Sequence, residues 1–156
     1  MNQNTTLQWV LNDMKDKIIV PEEIKDAGKP IIGVYGIFVS EGEEERCVYV
    51  GRSNNIYLRM FSGDGSHMVK LKKGIGESTE INAAMKKENA KIKVKILEQV
   101  KYDFKNYNID MQKLASRENY YIDYYQSLGQ CLEQRPEGSN LEYDVWETYK
   151  NKKQIV

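Results

Sequence analysis

The run Pro30 to Val39 (PIIGVYGIFV) followed by Arg46 to Gly51 (RCVYVG) constrains the fold more than any other part of the chain. Both stretches are dense in β-branched and aromatic residues, which suit a pleated, half-buried surface. Between them, Ser40-Glu41-Gly42-Glu43-Glu44-Glu45 is polar and contains a glycine, as a solvated hairpin connection requires. Pairing Ile37 with Cys47 sets Tyr35 directly across from Tyr49. Side chains alternate with period two, so both hydroxyls then leave the same face, and a one-residue slip would separate them.

Leu7, Val10, Leu11 and Met14 recur at helical spacing and predict a helix over about Leu7 to Lys17. Pro21 opens a second brief helix. Ser53 is positioned to cap a helix over Asn54 to Phe61, which stops at Gly63-Asp64-Gly65. A further helix is predicted from Ser78 to Glu88. Ala90 to Val100 alternates Ile92, Val94 and Ile96 with Lys91, Lys93 and Lys95, the pattern of a third strand half exposed to water. Asp110 caps a long helix through Gln126, and Trp146 and Tyr149 mark a last amphipathic helix. The expectation is one α/β (α+β) domain of 156 residues. It consists of a small three-stranded, mostly antiparallel sheet flanked by helices, with a helical extension over residues 1–29, a core over 30–134 and a C-terminal helix and tail over 135–156.

No stretch approaches the roughly eighteen apolar residues of a membrane span, and Met1-Asn2-Gln3-Asn4-Thr5 lacks the basic and apolar parts of a signal peptide. A cytoplasmic location without membrane contact is therefore expected. Cys47 and Cys131 have neither CxxC spacing nor a nearby histidine, so they are expected to be buried free thiols. Net charge is zero, with 23 Lys plus Arg against 23 Asp plus Glu, but its distribution is uneven. Residues 51–100 hold ten Lys or Arg and five Asp or Glu, an excess of five that the remainder of the chain balances. Such asymmetry fits either a face that meets phosphate or a solvated lysine-rich surface.

Chemistry-bearing residues stand at a few positions. Glu118 lies at offsets of three, four or seven from Met111, Leu114, Tyr121, Ile122 and Tyr125, which puts a carboxylate inside an apolar stripe. A buried carboxylate needs an arginine, a donor network or a metal ion; at the edge of the stripe a lysine would serve. Arg59 falls in the second turn of its helix, near the end of the second strand, where it is either a bidentate phosphate ligand or a surface arginine. Arg52 is open to the same two readings. His67, the only histidine, stands in Ser66-His67-Met68, read as a loop, either exposed or placed to move a proton or touch phosphate. A tyrosine has a solution pKa near ~10 and acts as a base only where an arginine or cation stabilises its phenolate.

In this order the residues resemble the GIY-YIG nuclease superfamily. Gly33-Val34-Tyr35 matches the first signature and Tyr49-Val50-Gly51 the second, each with valine at the middle position. Arg52-Ser53-Asn54-Asn55-Ile56 and then Arg59 look like the segment that ends in the family's helical arginine. Arg117-Glu118-Asn119-Tyr120-Tyr121-Ile122 resembles its glutamate-bearing helix. The likeness runs from about Lys29 to Gln134.

The resemblance implies a divalent-metal-dependent DNA endonuclease that hydrolyses phosphodiester bonds by water attack on duplex or branched DNA. Glu118 would hold one Mg2+, or another divalent cation such as Mn2+, with waters and a phosphate oxygen completing its shell. Tyr35 would position or deprotonate the attacking water, and Tyr49 would line the same pocket. Arg59 would offset charge building on phosphorus, Arg52 would favour a Tyr35 phenolate, and His67 would take the place of a histidine or tyrosine missing just beyond Arg59. The family's asparagine after the glutamate helix is absent, which leaves Glu133, Gln134 or Asn140 as substitutes. High specificity would call on a homodimer, a partner protein or the N-terminal helices. Two other classes remain open: a catalytically silent nucleic-acid-binding module of the same fold, and a protein-interaction adaptor that uses Tyr102, Phe104, Tyr107, Tyr120 and Tyr124.

Overall fold

The computed structural model of the chain describes residues 4–135 and 141–155, the last three of these as backbone only. It has a mixed α/β architecture with a sheet between two helical layers. The strands are β1 (Ile18–Ile19), β2 (Gly33–Glu41), β3 (Glu44–Ser53) and β4 (Ala90–Gln99), in the order β1-β4-β2-β3. The sheet thus has four strands where the sequence predicted three. The added strand is two residues long and pairs parallel to β4, Ile18 with Ile92 and Ile19 with Lys93. So short a strand carries no periodic signal of its own. Ile18 is held there by its burial beside β4.

The N-terminal helix is shorter than predicted and changes winding. α1 (Thr5–Gln8), capped by Asn4, runs into a π-helical turn over Trp9–Asp13, with the Met14 N–H donating to the Trp9 carbonyl at 3.1 Å. A 3-10 turn at Glu22–Ile24 follows Pro21. The remaining helices are α2 (Ile56–Phe61), α3 (His67–Lys72), α4 (Thr79–Lys86), α5 (Tyr107–Ser127) and α6 (Tyr143–Ile155). The cap of α2 is Asn55, which Ser53 Oγ steadies by accepting its N–H at 2.9 Å. Ser66 and Ser78 cap α3 and α4. Asn106 caps α5, while Asp110 accepts the N–H groups of Asp103 and Phe104 just ahead of the helix. No described helix is long and apolar enough to cross a membrane.

The hairpin is tighter than the predicted six-residue connection. Glu41 pairs with Glu44, leaving Gly42 and Glu43 as the turn, with Gly42 at φ +61° as such turns demand. The register also differs: Tyr35 pairs with Gly51 and Ile37 with Tyr49. A bulge at Val48 lies between the Ile37–Tyr49 and Phe38–Cys47 pairs. Because the slip from the predicted register is two residues, Tyr35 and Tyr49 still share a face. The bulge sends Val48 and Tyr49 in succession to the side of the first core.

That core packs Tyr35, Ile37, Val39 and Val48 under α2, α3 and α4 and the N-terminal segment. The second core, on the opposite face, packs Val34, Phe38, Cys47 and Val50 against Leu114 and Ile122 of α5. Along α5 the buried row is Asp110, Leu114, Glu118 and Ile122, a strict four-residue spacing. Asn140 lies outside the described residues.

Candidate active site around Gly51

The chemistry gathers at the C-terminal end of the edge strand β3. Gly51 is the pivot. A Cβ there would stand 2.5 Å from Tyr35 Cζ and 2.9 Å from Tyr49 Cε1, so only hydrogen leaves room for the two rings over the strand. Tyr35 and Tyr49 are tilted at 39° with centroids 6.5 Å apart.

His67 lies between them. It is not on an exposed loop: it opens α3 and its side chain is 1% exposed. Its ring meets Tyr35 edge-on at 5.4 Å and Tyr49 at 5.1 Å, and Nε2 is 2.6 Å from the Tyr35 hydroxyl. Tyr35 is fully buried, and that burial pushes its hydroxyl well above the ordinary phenol value. Neighbouring Tyr49, Glu118 and Glu77 push the same way, while Arg59 opposes them. Burial also lowers the imidazole to about 3, with the Arg59 and Lys70 cations contributing. Both groups are therefore neutral, and one hydrogen bond joins the Tyr35 hydroxyl to Nε2, which leaves Nδ1 on the other side of the ring. That atom has no hydrogen-bond partner; the nearest acceptor, Glu77 Oε1, is 3.7 Å away, beyond a hydrogen bond.

Arg59 binds this group together from the last turn of α2. One guanidinium nitrogen donates to the Gly65 carbonyl at 2.7 Å, and another lies 3.6 Å from Glu77 Oε1. Burial raises Tyr49 too, and Arg59 counters this through its charge and a hydrogen bond. Glu77, which also holds Lys70 at 2.8 Å, was not foreseen from the sequence. It precedes the Ser78 cap in a turn, where no hydrophobic period marks a position.

Arg52 and Glu118 form the other half of the site, on the α5 side of the strand. Arg52 follows Gly51 and so points to the opposite face, where its Nη1 donates to Glu118 Oε1 at 2.9 Å. Glu118 is 8% exposed and its partner is an arginine, one of the choices the apolar stripe left open. Its charge still reaches both tyrosines across the strand. The side chains that follow α5 are engaged elsewhere. Gln130 accepts the Cys47 N–H at 2.7 Å, Gln134 bonds both backbone groups of Val50, and Glu133 accepts from Thr79.

Among the described residues no three or more His, Cys, Asp or Glu side chains cluster as metal ligands. The donor set does not suit zinc, which takes four nitrogen or sulfur-rich ligands. It does suit a hard cation that accepts one protein carboxylate, here Glu118, and fills its shell with water and phosphate oxygens. Comparison with protein-family models, curated proteins and solved structures finds no match.

Proposed function

We propose that this chain is a divalent-metal-dependent endonuclease of the GIY-YIG kind, cutting DNA by attack of water on a phosphodiester bond. The observation that carries this reading is the meeting of four distant segments, through Tyr35, Tyr49 and Arg52, Arg59 and His67, and Glu118, around one side-chain-free strand position. Arg59 supplies a cation held beside two phenols, where charge develops on the phosphoryl oxygens. Tyr35, hydrogen-bonded to His67 Nε2, would position the attacking water. Arg52 holds Glu118 in its rotamer and shares the substrate's negative charge. When bound at Glu118, the cation supplies a Lewis acid for the departing 3′ oxygen.

The arginine clasped on Glu118 also favours a second reading, a silent DNA-binding module in which the ion pair takes the place of a metal. Incubation with supercoiled plasmid and with branched DNA, with and without magnesium, separates the two. Nicking that needs magnesium and disappears in Glu118→Ala and Arg59→Ala supports hydrolysis. Parental cutting by both variants removes this site, and salt-sensitive binding without nicking leaves the binding module. The setting for either activity is the cytoplasm, with sequence selectivity supplied by a second copy or a partner protein.

A further inference from the structure

Beside Arg52 the surface opens into a hollow of about 550 Å³, whose apolar wall includes Ile32, Tyr102, Phe104, Tyr107 and Met111. The geometry points to a stacking subsite for one unpaired nucleobase of the DNA strand cut at Gly51, an inference that rests on the DNA reading above. Phe104 is 80% exposed and Tyr107 76%, so two aromatic rings stand in water where burial would be favourable. Phe104 also holds a left-handed backbone, φ +59°, which a bulky side chain adopts only under constraint. The constraint is Asp110, 3% exposed, whose two carboxylate oxygens accept the N–H groups of Asp103 and Phe104. An acid buried to fix a strained turn that presents a phenyl ring to solvent is a structural expense without an internal return. Such strain concentrates where a ligand is met.

The remaining features select the ligand. Tyr102 and Phe104 meet edge-to-face at 5.7 Å and 77°, a rigid aromatic corner that accepts a flat π-system. Tyr102 donates to Asn54 Oδ1, and Asn54 lines the hollow as a polar side chain that a base edge could meet. Lys105 stands on the rim, and the Arg52 charge reaches Tyr102. Two cations are therefore at hand for the phosphates of a nucleotide, Lys105 in the lining and Arg52 through its charge on Tyr102. The volume is ample for one nucleoside. Base stacking on aromatic rings tolerates any sequence, so the subsite would select unpaired nucleotides rather than a base order.

The test uses the full chain in EDTA, so that no cleavage intervenes, with 2-aminopurine in a duplex either as a single bulged base or paired. Loss of a stack is worth about tenfold in affinity, so the bulged duplex should bind about tenfold more tightly than the paired one, with its fluorescence quenched. Phe104→Asn, which keeps the left-handed backbone at an exposed position, should erase that preference and leave paired-duplex affinity unchanged. Equal affinity for the two duplexes, or a preference untouched by Phe104→Asn, overturns the subsite. Binding of free deoxynucleotide as tightly as the bulged strand overturns it in favour of a nucleotide pocket, and no DNA binding at low salt overturns it in favour of a protein ligand. Its fate is separable from the nuclease reading. Magnesium-dependent nicking without a bulge preference keeps the nuclease and removes the subsite. A Phe104-dependent bulge preference without nicking keeps the subsite and removes the hydrolase.

Discussion

His67 is one of the most consequential single side chains in the protein, because burial keeps its ring neutral between two tyrosines. As the sole histidine it gives one imidazole signal, which should show no titration by NMR between pH 7.5 and 5. A midpoint near 6.5 would contradict the burial. The same shift couples folding to pH. An unfolded histidine takes its proton near ~6.5, whereas the folded one waits until about 3, so below ~6.5 the unfolded chain binds more protons. Stability from this group is complete above ~6.5 and falls by up to about 1.4 kcal/mol per pH unit as pH drops towards 3. His67→Gln should flatten that limb of a melting-temperature profile relative to the parent. Gly51 is the second decisive residue. Gly51→Ala forces a methyl against both phenol rings, so it should lower plasmid nicking about a hundredfold or more, the scale on which misplaced catalytic groups act. Activity at the parental level would show that the rings are free to move. At this scale the sequence was legible where strand alternation or helical period fixed a position, as for the shared face of Tyr35 and Tyr49, Arg59 on its helix and Glu118 in the buried row of α5. It was silent on Glu77 and on the burial of His67, since both depend on how a turn packs and not on local pattern.

At the scale of elements, β3 is an edge strand that carries Tyr49, Gly51 and Arg52. Edge strands invite pairing with other chains. Here the segment after α5 covers it with side-chain amides. Gln134 supplies an acceptor to the Val50 N–H at 2.8 Å and a donor to its carbonyl, and Gln130 accepts from Cys47. Gln134→Ala leaves both Val50 groups without that partner and should lower stability by about 1–3 kcal/mol, read as a lower urea midpoint at unchanged slope. A shift within error would mean that water replaces the amide. The same strap brings Cys131 Sγ to 3.2 Å from Cys47 Sγ with both thiols buried. The bond from Cys131 and burial push the Cys47 thiol up, and Cys131 is shielded by its own burial, so neither thiol should alkylate in the native protein and both should after unfolding. Failure to label after unfolding without reductant would show a disulfide instead. The long strands and α5 were readable because each repeats its period over many residues. The hairpin register was not, because the two-residue turn sets the pairs one residue off and the bulge at Val48 adds a second, and β1 was not, because two residues hold no period at all.

At the scale of the molecule, zero net charge conceals an uneven distribution along the chain. The excess of five positive charges falls within residues 51–100, the stretch that forms the end of β3, α2, α3, α4 and β4. The helices α2, α3 and α4 cover the sheet face that carries Tyr35 and Tyr49, and α3 carries His67. A DNA backbone approaching Arg59 therefore meets α3, where Lys72 and Lys73 are exposed in and just after the last turn. Each phosphate neutralised by a lysine contributes about −0.9 to the slope of log affinity against log salt. The double variant Lys72→Gln, Lys73→Gln should therefore make the slope shallower by about 1 to 2. It should weaken duplexes of every sequence alike, because phosphate contacts carry no base information. That outcome differs from the one expected of Phe104→Asn, which alters the choice between bulged and paired DNA at constant salt slope. An unchanged slope in the lysine variant would place the DNA on another face, and the candidate centre would then need a substrate that reaches Gly51 from the α5 side, past Arg52.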